Sequence, residues 1–207
     1  MPDAIIPTYQ HLAARFDELR DRSLFERGWL DAFAALLPRG GRVLDLGCGM
    51  AEPIAAHLVA QGFSVTGVDS APAMIALCQS RFPGHRWITA DMRHLALGER
   101  FEGIIAWDSF FHLRAKDQRA MFAIFAAHAA PGTALLFTSG PEAGTAIGDL
   151  DGTPLFHASL DPTEYRALLA AQGFSVQRFA AQDRACAGHT IWLTQMRDAR
   201  PAIPAIG

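Results

Sequence analysis

The chain has 207 residues, 50% hydrophobic and 19% charged, with a net charge of -3, enough for one domain with a substantial core. No basic stripe, polybasic run or apolar stretch of ~20 residues is present, which argues against nucleic acid, a membrane surface or a membrane span as the setting. The three cysteines, Cys48, Cys78 and Cys186, form no CxxC pair, and the opening residues lack a basic segment before an apolar one, so a cytoplasmic protein without disulfides, zinc knuckle or signal peptide is expected.

Residues 1–40 predict a helical cap: "PTYQHLAARFDELRDRSLFERGWLDAF" reads as two amphipathic helices, with Phe25 and Trp29 packing on the core. The run "RVLDL" (Arg42–Leu46) predicts a first strand, followed by a glycine turn and a helix from about Glu52 to Gln61. "FSVTGVD" (Phe63–Asp69) is a second strand, and "SAPAMIALCQSRF" a second helix, with Ser70 placed to cap it and Pro72 in its first turn. Cys78, on that helix, reads as a small core residue. "HRWITAD" (His85–Asp91) and "FEGIIAWD" (Phe101–Asp108) are the third and fourth strands. A helix follows, with Met121, Phe122 and Phe125 on one face, and then a fifth strand, Gly132–Gly140. Gly140–His157 reads as a long loop, a length that often serves as a lid. Asp161 and Pro162 open another helix as cap and first residue. The strands Phe174–Ala181 and Thr190–Met196 close the chain before a tail at 197–207.

Five strand–helix alternations predict a parallel sheet with helices on both faces. The last two strands are joined too tightly for a helical crossover, so they are expected to pair antiparallel. The whole is a single α/β domain: a doubly wound, mostly parallel, seven-stranded Rossmann-like sheet over 41–196, with an antiparallel C-terminal hairpin.

In such a sheet a ligand binds beyond the carboxyl ends of the strands. The glycine turn reads Gly47-Cys48-Gly49-Met50-Ala51-Glu52. A dinucleotide fingerprint wants a small residue where Glu52 stands, and a carboxylate there opposes a pyrophosphate at a helix start. A P-loop is excluded by the absence of Gly-Lys-Ser/Thr. Asp69, ending the second strand, is placed to accept the hydroxyls of a ribose. Asp91, ending the third, is placed to accept an adenine amine with Met92 beside the ring. Asp45 is costly to bury alone and needs a cationic partner, such as the ammonium of an amino acid. Ribose, adenine and ammonium without phosphate describe S-adenosylmethionine.

On these residues the chain resembles the class I S-adenosylmethionine-dependent methyltransferases of small-molecule type, from about Val43 to Met196. "VLDLGCG" is similar to the family's first motif, "VTGVDSAPAMIALC" to its second, "ADM" to its third and "FEGIIAWDSFFHL" to its fourth. "PGTALLFTSG" matches the segment around the fifth strand, and the closing hairpin matches an antiparallel seventh strand. Ala51 stands where the family often has a third glycine, a small departure. The resemblance implies a cofactor shell of Asp45, Gly47, Cys48, Gly49, Glu52, Asp69, Ser70, Met74, Asp91, Met92 and Trp107. Tyr9, from the N-terminal segment, would cover it as an aromatic does in related enzymes.

Methyl transfer is an in-line displacement, so the enzyme mainly positions the acceptor and excludes water. Asp108 and His112, just past the fourth strand, are the candidate catalytic residues. Ser139, Glu142, His157, Tyr165 and His189 are candidate acceptor contacts. The DNA-methylating run Asn/Asp-Pro-Pro-aromatic is absent, since Trp107-Asp108-Ser109-Phe110 stands there. Catechol-type enzymes bind a metal with acids after the fourth and fifth strands, and Ser139-Gly140 supplies no second one, so no metal is expected. Arsenite-type methylation would want vicinal thiols. The expected partner is therefore a small molecule methylated on oxygen or nitrogen. The competing readings are a nicotinamide-dependent oxidoreductase, disfavoured by Glu52 and the hairpin, and a non-catalytic S-adenosylmethionine-binding protein. No stretch of the sequence points to an oligomeric state.

Overall fold

The order of strands follows from where the apolar runs fall. The computed structural model describes residues 4–197, so all of the expected tail except Arg197 lies outside it. The elements are α1 (Ile5–Leu19), α2 (Arg27–Ala34), β1 (Arg42–Leu46), α3 (Ile54–Ala60), β2 (Ser64–Asp69), α4 (Pro72–Arg81), β3 (Arg86–Thr89) and β4 (Phe101–Ala106). After them come α5 (Ala115–Ala127), β5 (Ala129–Ser139), β6 (Gly144–Leu150), β7 (Thr153–Ser159), α6 (Pro162–Ala171), β8 (Phe174–Asp183) and β9 (His189–Met196).

A seven-stranded sheet runs in the order β3-β2-β1-β4-β5-β9-β8. The first five of these are mutually parallel, while β9 pairs antiparallel with both β5 and β8. The doubly wound sheet and its antiparallel hairpin are thus as the sequence predicts. Strand order reverses between β1 and β4, so a crevice opens beyond their carboxyl ends.

Central strands carry apolar side chains to both faces, as parallel strands must when helices cover both. On one face Leu30, Phe33, Leu58, Ile75 and Cys78 from α2, α3 and α4 meet Val43, Ile105 and Leu136. On the other, Met121, Phe122 and Phe125 from α5 and Leu169 from α6 meet Leu44, Ile104 and Phe137. Each fully buried Leu or Phe contributes roughly 1.5–3 kcal/mol. Trp29 is buried in the first of these clusters and Phe25 packs against it.

Three local expectations need correction. The loop expected at Gly140–His157 is largely a separate two-stranded hairpin, β6–β7. Its turn is Asp151-Gly152, with φ of 51° and 79°, between the paired Leu150 and Thr153. Two successive positive φ values are what a two-residue type I′ turn demands, and Asp-Gly supplies them. Secondly, Ser70 does not cap α4. The helix begins at Pro72 without a side-chain cap, and it is Asp69 Oδ1 that accepts the Ala71 N–H at 2.8 Å. Thirdly, the helix after the glycine turn starts at Ile54, two positions later than the expected Glu52. At α6 the sequence signal holds: Asp161 accepts the Thr163 N–H at 2.7 Å, with Pro162 at the first position.

Candidate active site

A cavity of about 260 Å³ lies over the carboxyl ends of β1, β2, β3 and β4, roofed by α1. Its lining includes Tyr9, Asp45, Gly47, Cys48, Gly49, Glu52, Asp69, Ser70, Met74, Asp91, Met92, Trp107, Asp108 and His112.

Gly47 leaves β1 with φ +75°, a region that L side chains rarely adopt. A Cβ there would sit 2.2 Å from Ser109 Cβ. The close approach is held by Ser109 Oγ, which donates to the Leu46 carbonyl at 2.6 Å. The turn after β1 and the turn after β4 are thereby locked together. Gly49 N–H then donates to Asp69 Oδ2 at 3.0 Å, so the glycine turn is tied to the end of β2 as well.

The carboxylates at the strand ends differ in environment. Asp45 is 4% exposed, and burial, followed by the charge of Asp69, pushes its carboxyl up to about 7. No partner for it is found among the described residues. Asp69 is also pushed upward by burial, against the hydrogen bonds from Ala71 and Gly49. Asp91 opposes burial with the guanidinium of Arg93, which donates from Nε at 2.9 Å and from Nη2 at 2.6 Å to Oδ2. Its carboxyl is held below the ordinary range as a result. Glu52 is occupied by Arg22 at 3.1 Å and Arg81 at 3.5 Å. The sequence places these four acids together but is silent on which of them has a partner.

Tyr9 reaches down from α1 to His112, with its hydroxyl 3.1 Å from Nε2. His112 Nδ1 is 3.0 Å from the Phe156 carbonyl on β7, an acceptor only, so Nδ1 carries the proton. With burial holding the imidazole neutral, the Tyr9 hydroxyl donates to Nε2. Burial lowers the His112 pKa to about 4, consistent with that tautomer. The link joins α1, the turn after β4 and the β6–β7 hairpin. At the far end of α1, Arg15 binds Asp151 at the hairpin tip with hydrogen bonds of 3.0 and 3.2 Å.

The five expected acceptor contacts lie outside the cavity lining. Tyr165 is fully buried; its hydroxyl donates to Gln118 Oε1 at 2.6 Å and accepts the Leu160 N–H at 3.0 Å. Ser139 accepts from Trp192 Nε1 at 3.0 Å and donates to the Gly140 carbonyl at 2.9 Å. Both hydroxyls are engaged in these internal bonds. Glu142 is exposed in the bend before β6. His157 stands behind His112, ring centroids 4.9 Å apart. His189 stands behind Asp108, its Nε2 2.9 Å from Oδ1. Missed from the sequence are Phe16, Arg20 and Arg114, which line the cavity. The cap helix hints at the first two, since its apolar face must cover something.

The arrangement can hold a cation beside Asp45 and a diol beside Asp69. It offers no free anion-binding nest at Glu52.

Residues 43–132 match a family model described as a methyltransferase domain. YqeM, a presumptive methyltransferase of Bacillus subtilis (strain 168), is 32% identical over 114 residues, 53% of this chain and 45% of that protein. The match thus spans a little under half the length of that relative. The amino pentose methyltransferase CalS10 of Micromonospora echinaspora, solved with S-adenosylmethionine, shares the fold with a TM-score of 0.68 at 22% identity, over 89% of this chain and 95% of that one. Magnesium protoporphyrin IX methyltransferase from Synechocystis PCC 6803 gives a TM-score of 0.70 at 16% identity, over 94% and 96%. Residues 43–132 thus match a methyltransferase-domain model, and the chain shares the fold of solved S-adenosylmethionine-dependent methyltransferases.

Proposed function

We propose that this protein transfers the methyl group of S-adenosylmethionine to an oxygen or nitrogen of a small organic molecule. The observation that carries the reading is Asp45, a buried carboxylate at the end of β1 without a partner among the described residues, facing a cavity where Asp69, Asp91, Glu52 and Asp108 each have one. The ammonium of the cofactor's methionine part suits it, whereas a pyrophosphate would meet Asp45, Asp69 and Glu52 together.

When bound, the cofactor supplies a sulfonium methyl that an acceptor lone pair displaces, the C–S electrons passing to sulfur and a proton leaving the acceptor. In this reading Asp69 receives the ribose hydroxyls on the lone pairs left free by Gly49 and Ala71. Met92, Met74 and the backbone of the glycine turn enclose the adenine, with Asp91 at its amine edge. Trp107 and Asp108 stand at the methyl end, and Tyr9 closes the roof and keeps water out. An acceptor of small size accords with neighbours that act on an amino pentose and a porphyrin.

The test is transfer of label from S-[methyl-¹⁴C]adenosylmethionine in a mixture of small phenols, amines, acids, duplex DNA and unrelated protein. Label should pass to a small molecule. Label found in the DNA or protein instead would contradict the reading.

A further inference from the structure

Behind the methyl end of the cavity, Asp108 and His189 form a couple whose protonation follows from its partners. His189 Nδ1 is 2.8 Å from the Cys186 carbonyl, which can only accept. Its Nε2 is 2.9 Å from Asp108 Oδ1 and 3.2 Å from Oδ2, which accept as a carboxylate. Both ring nitrogens therefore donate, and the ring is an imidazolium. It lies between Phe25 and Trp107, each ring centroid 5.6 Å away and tilted by 32° and 28°, aromatic faces that attract a cation. Burial works against that charge, yet the hydrogen bond and charge of Asp108 outweigh it, with Glu26 adding to them.

Asp108 is fixed from the other side too. Its backbone is left-handed, φ 48°, and its N–H donates to Thr138 Oγ1 at 2.9 Å. Its side chain is 34% exposed against 22% for His189, and Asp108 lines the cavity where His189 does not. The couple presents a rigid carboxylate with lone pairs and no proton of its own.

We propose that Asp108 recognises the methyl acceptor by accepting an O–H or N–H bond from it, and that His189 is the positioning residue that holds the Asp108 carboxylate in place. The acceptor class is therefore hydroxyl or amine, and carboxylate acceptors are disfavoured, because a carboxylate would bring only lone pairs to lone pairs. As the acceptor's lone pair forms its bond to the methyl carbon, the acceptor's proton passes to an Asp108 oxygen and from there to water. This rests on the methyltransferase reading above.

Phenol, benzylamine and benzoate carry one ring with three headgroups and serve as probes. Their binding to protein saturated with S-adenosylhomocysteine is followed by ligand-observed NMR at pH 7.5, after calorimetry has measured the cofactor product alone. Phenol and benzylamine are expected to bind about tenfold or more tighter than benzoate. Asp108→Asn keeps a residue that tolerates the left-handed backbone and adds a donor, so the ratio should swing roughly tenfold toward benzoate. His189→Ala should weaken phenol and benzylamine about tenfold while S-adenosylhomocysteine binds within about twofold of the parent, and His189→Gln, which restores a donor to Asp108, should recover part of the loss. Benzoate binding as tightly as phenol, or a His189→Gln variant no better than His189→Ala, would overturn the couple alone. Loss of S-adenosylhomocysteine binding in the parent protein would overturn the methyltransferase reading and the couple with it.

Discussion

Replacing Asp45 by Asn separates what the site costs from what it does. Asp45 is 4% exposed and its carboxyl is pushed up to about 7, against an ordinary 3.8. That difference corresponds to roughly 4 kcal/mol of penalty on the ionised form. The sign follows from proton counting. Between pH 3.8 and about 7 the folded chain holds a proton at Asp45 that the unfolded chain has lost, so this group's contribution to stability falls as pH rises through that window and the full penalty applies above it. Asn has nearly the same shape without the charge. Urea unfolding of the apo-protein should therefore show Asp45→Asn more stable than the parent at pH 8, by up to about 3–4 kcal/mol, with the gap closing by pH 4.5. Calorimetry with S-adenosylhomocysteine at pH 8 should show the opposite ranking, with the variant about ten- to a hundred-fold weaker for the loss of a charge-assisted bond of roughly 1.5–3 kcal/mol. An Asp45→Asn protein that is less stable than the parent at pH 8, or that binds the cofactor product equally well, would refute the reasoning.

Asp69→Ala removes the acceptor of both the Gly49 and Ala71 N–H groups, so calorimetry should show S-adenosylhomocysteine weakened by about ten- to a hundred-fold; unchanged affinity would remove Asp69 from the cofactor shell. Gly47→Ala puts a Cβ 2.2 Å from Ser109 Cβ at φ +75°, and a loss of roughly 3 kcal/mol or more in urea unfolding is expected. Tyr165→Phe strips a buried hydroxyl from Gln118 and Leu160; stability should fall by about 1–3 kcal/mol with cofactor affinity intact. A change in affinity there would return Tyr165 to the site.

The acids at the ends of β1, β2, β3 and β4 were legible because a parallel sheet places every strand end on one side, whatever the details of packing. For the same reason Asp45, Asp69, Asp91 and Asp108 converge on one cavity from a sequence span of more than 60 residues. Partnership was not legible. Arg93 claims Asp91 and Arg81 reaches Glu52 only through the folded arrangement. Ser139 at the end of β5 and Tyr165 in the first turn of α6 turn inward, a choice made by Trp192 on the neighbouring β9 and by Gln118 on α5. The β6–β7 hairpin was hidden by its Gly, Pro and Asp content, although Asp151-Gly152 between Leu150 and Thr153 is a direct turn signal. His189 reaches Asp108 because the antiparallel pairing of β9 with β5, Thr190 opposite Ser139, brings the connection between β8 and β9 to the cavity end of the sheet. From sequence alone either end was open.

The central claim is that the cavity is built for S-adenosylmethionine and not for a dinucleotide. Calorimetric titration of the purified protein with S-adenosylhomocysteine, with NADH as the control, tests it most directly. Micromolar binding of the first and none of the second is the result predicted. Binding of NADH, with no heat from S-adenosylhomocysteine, would contradict it.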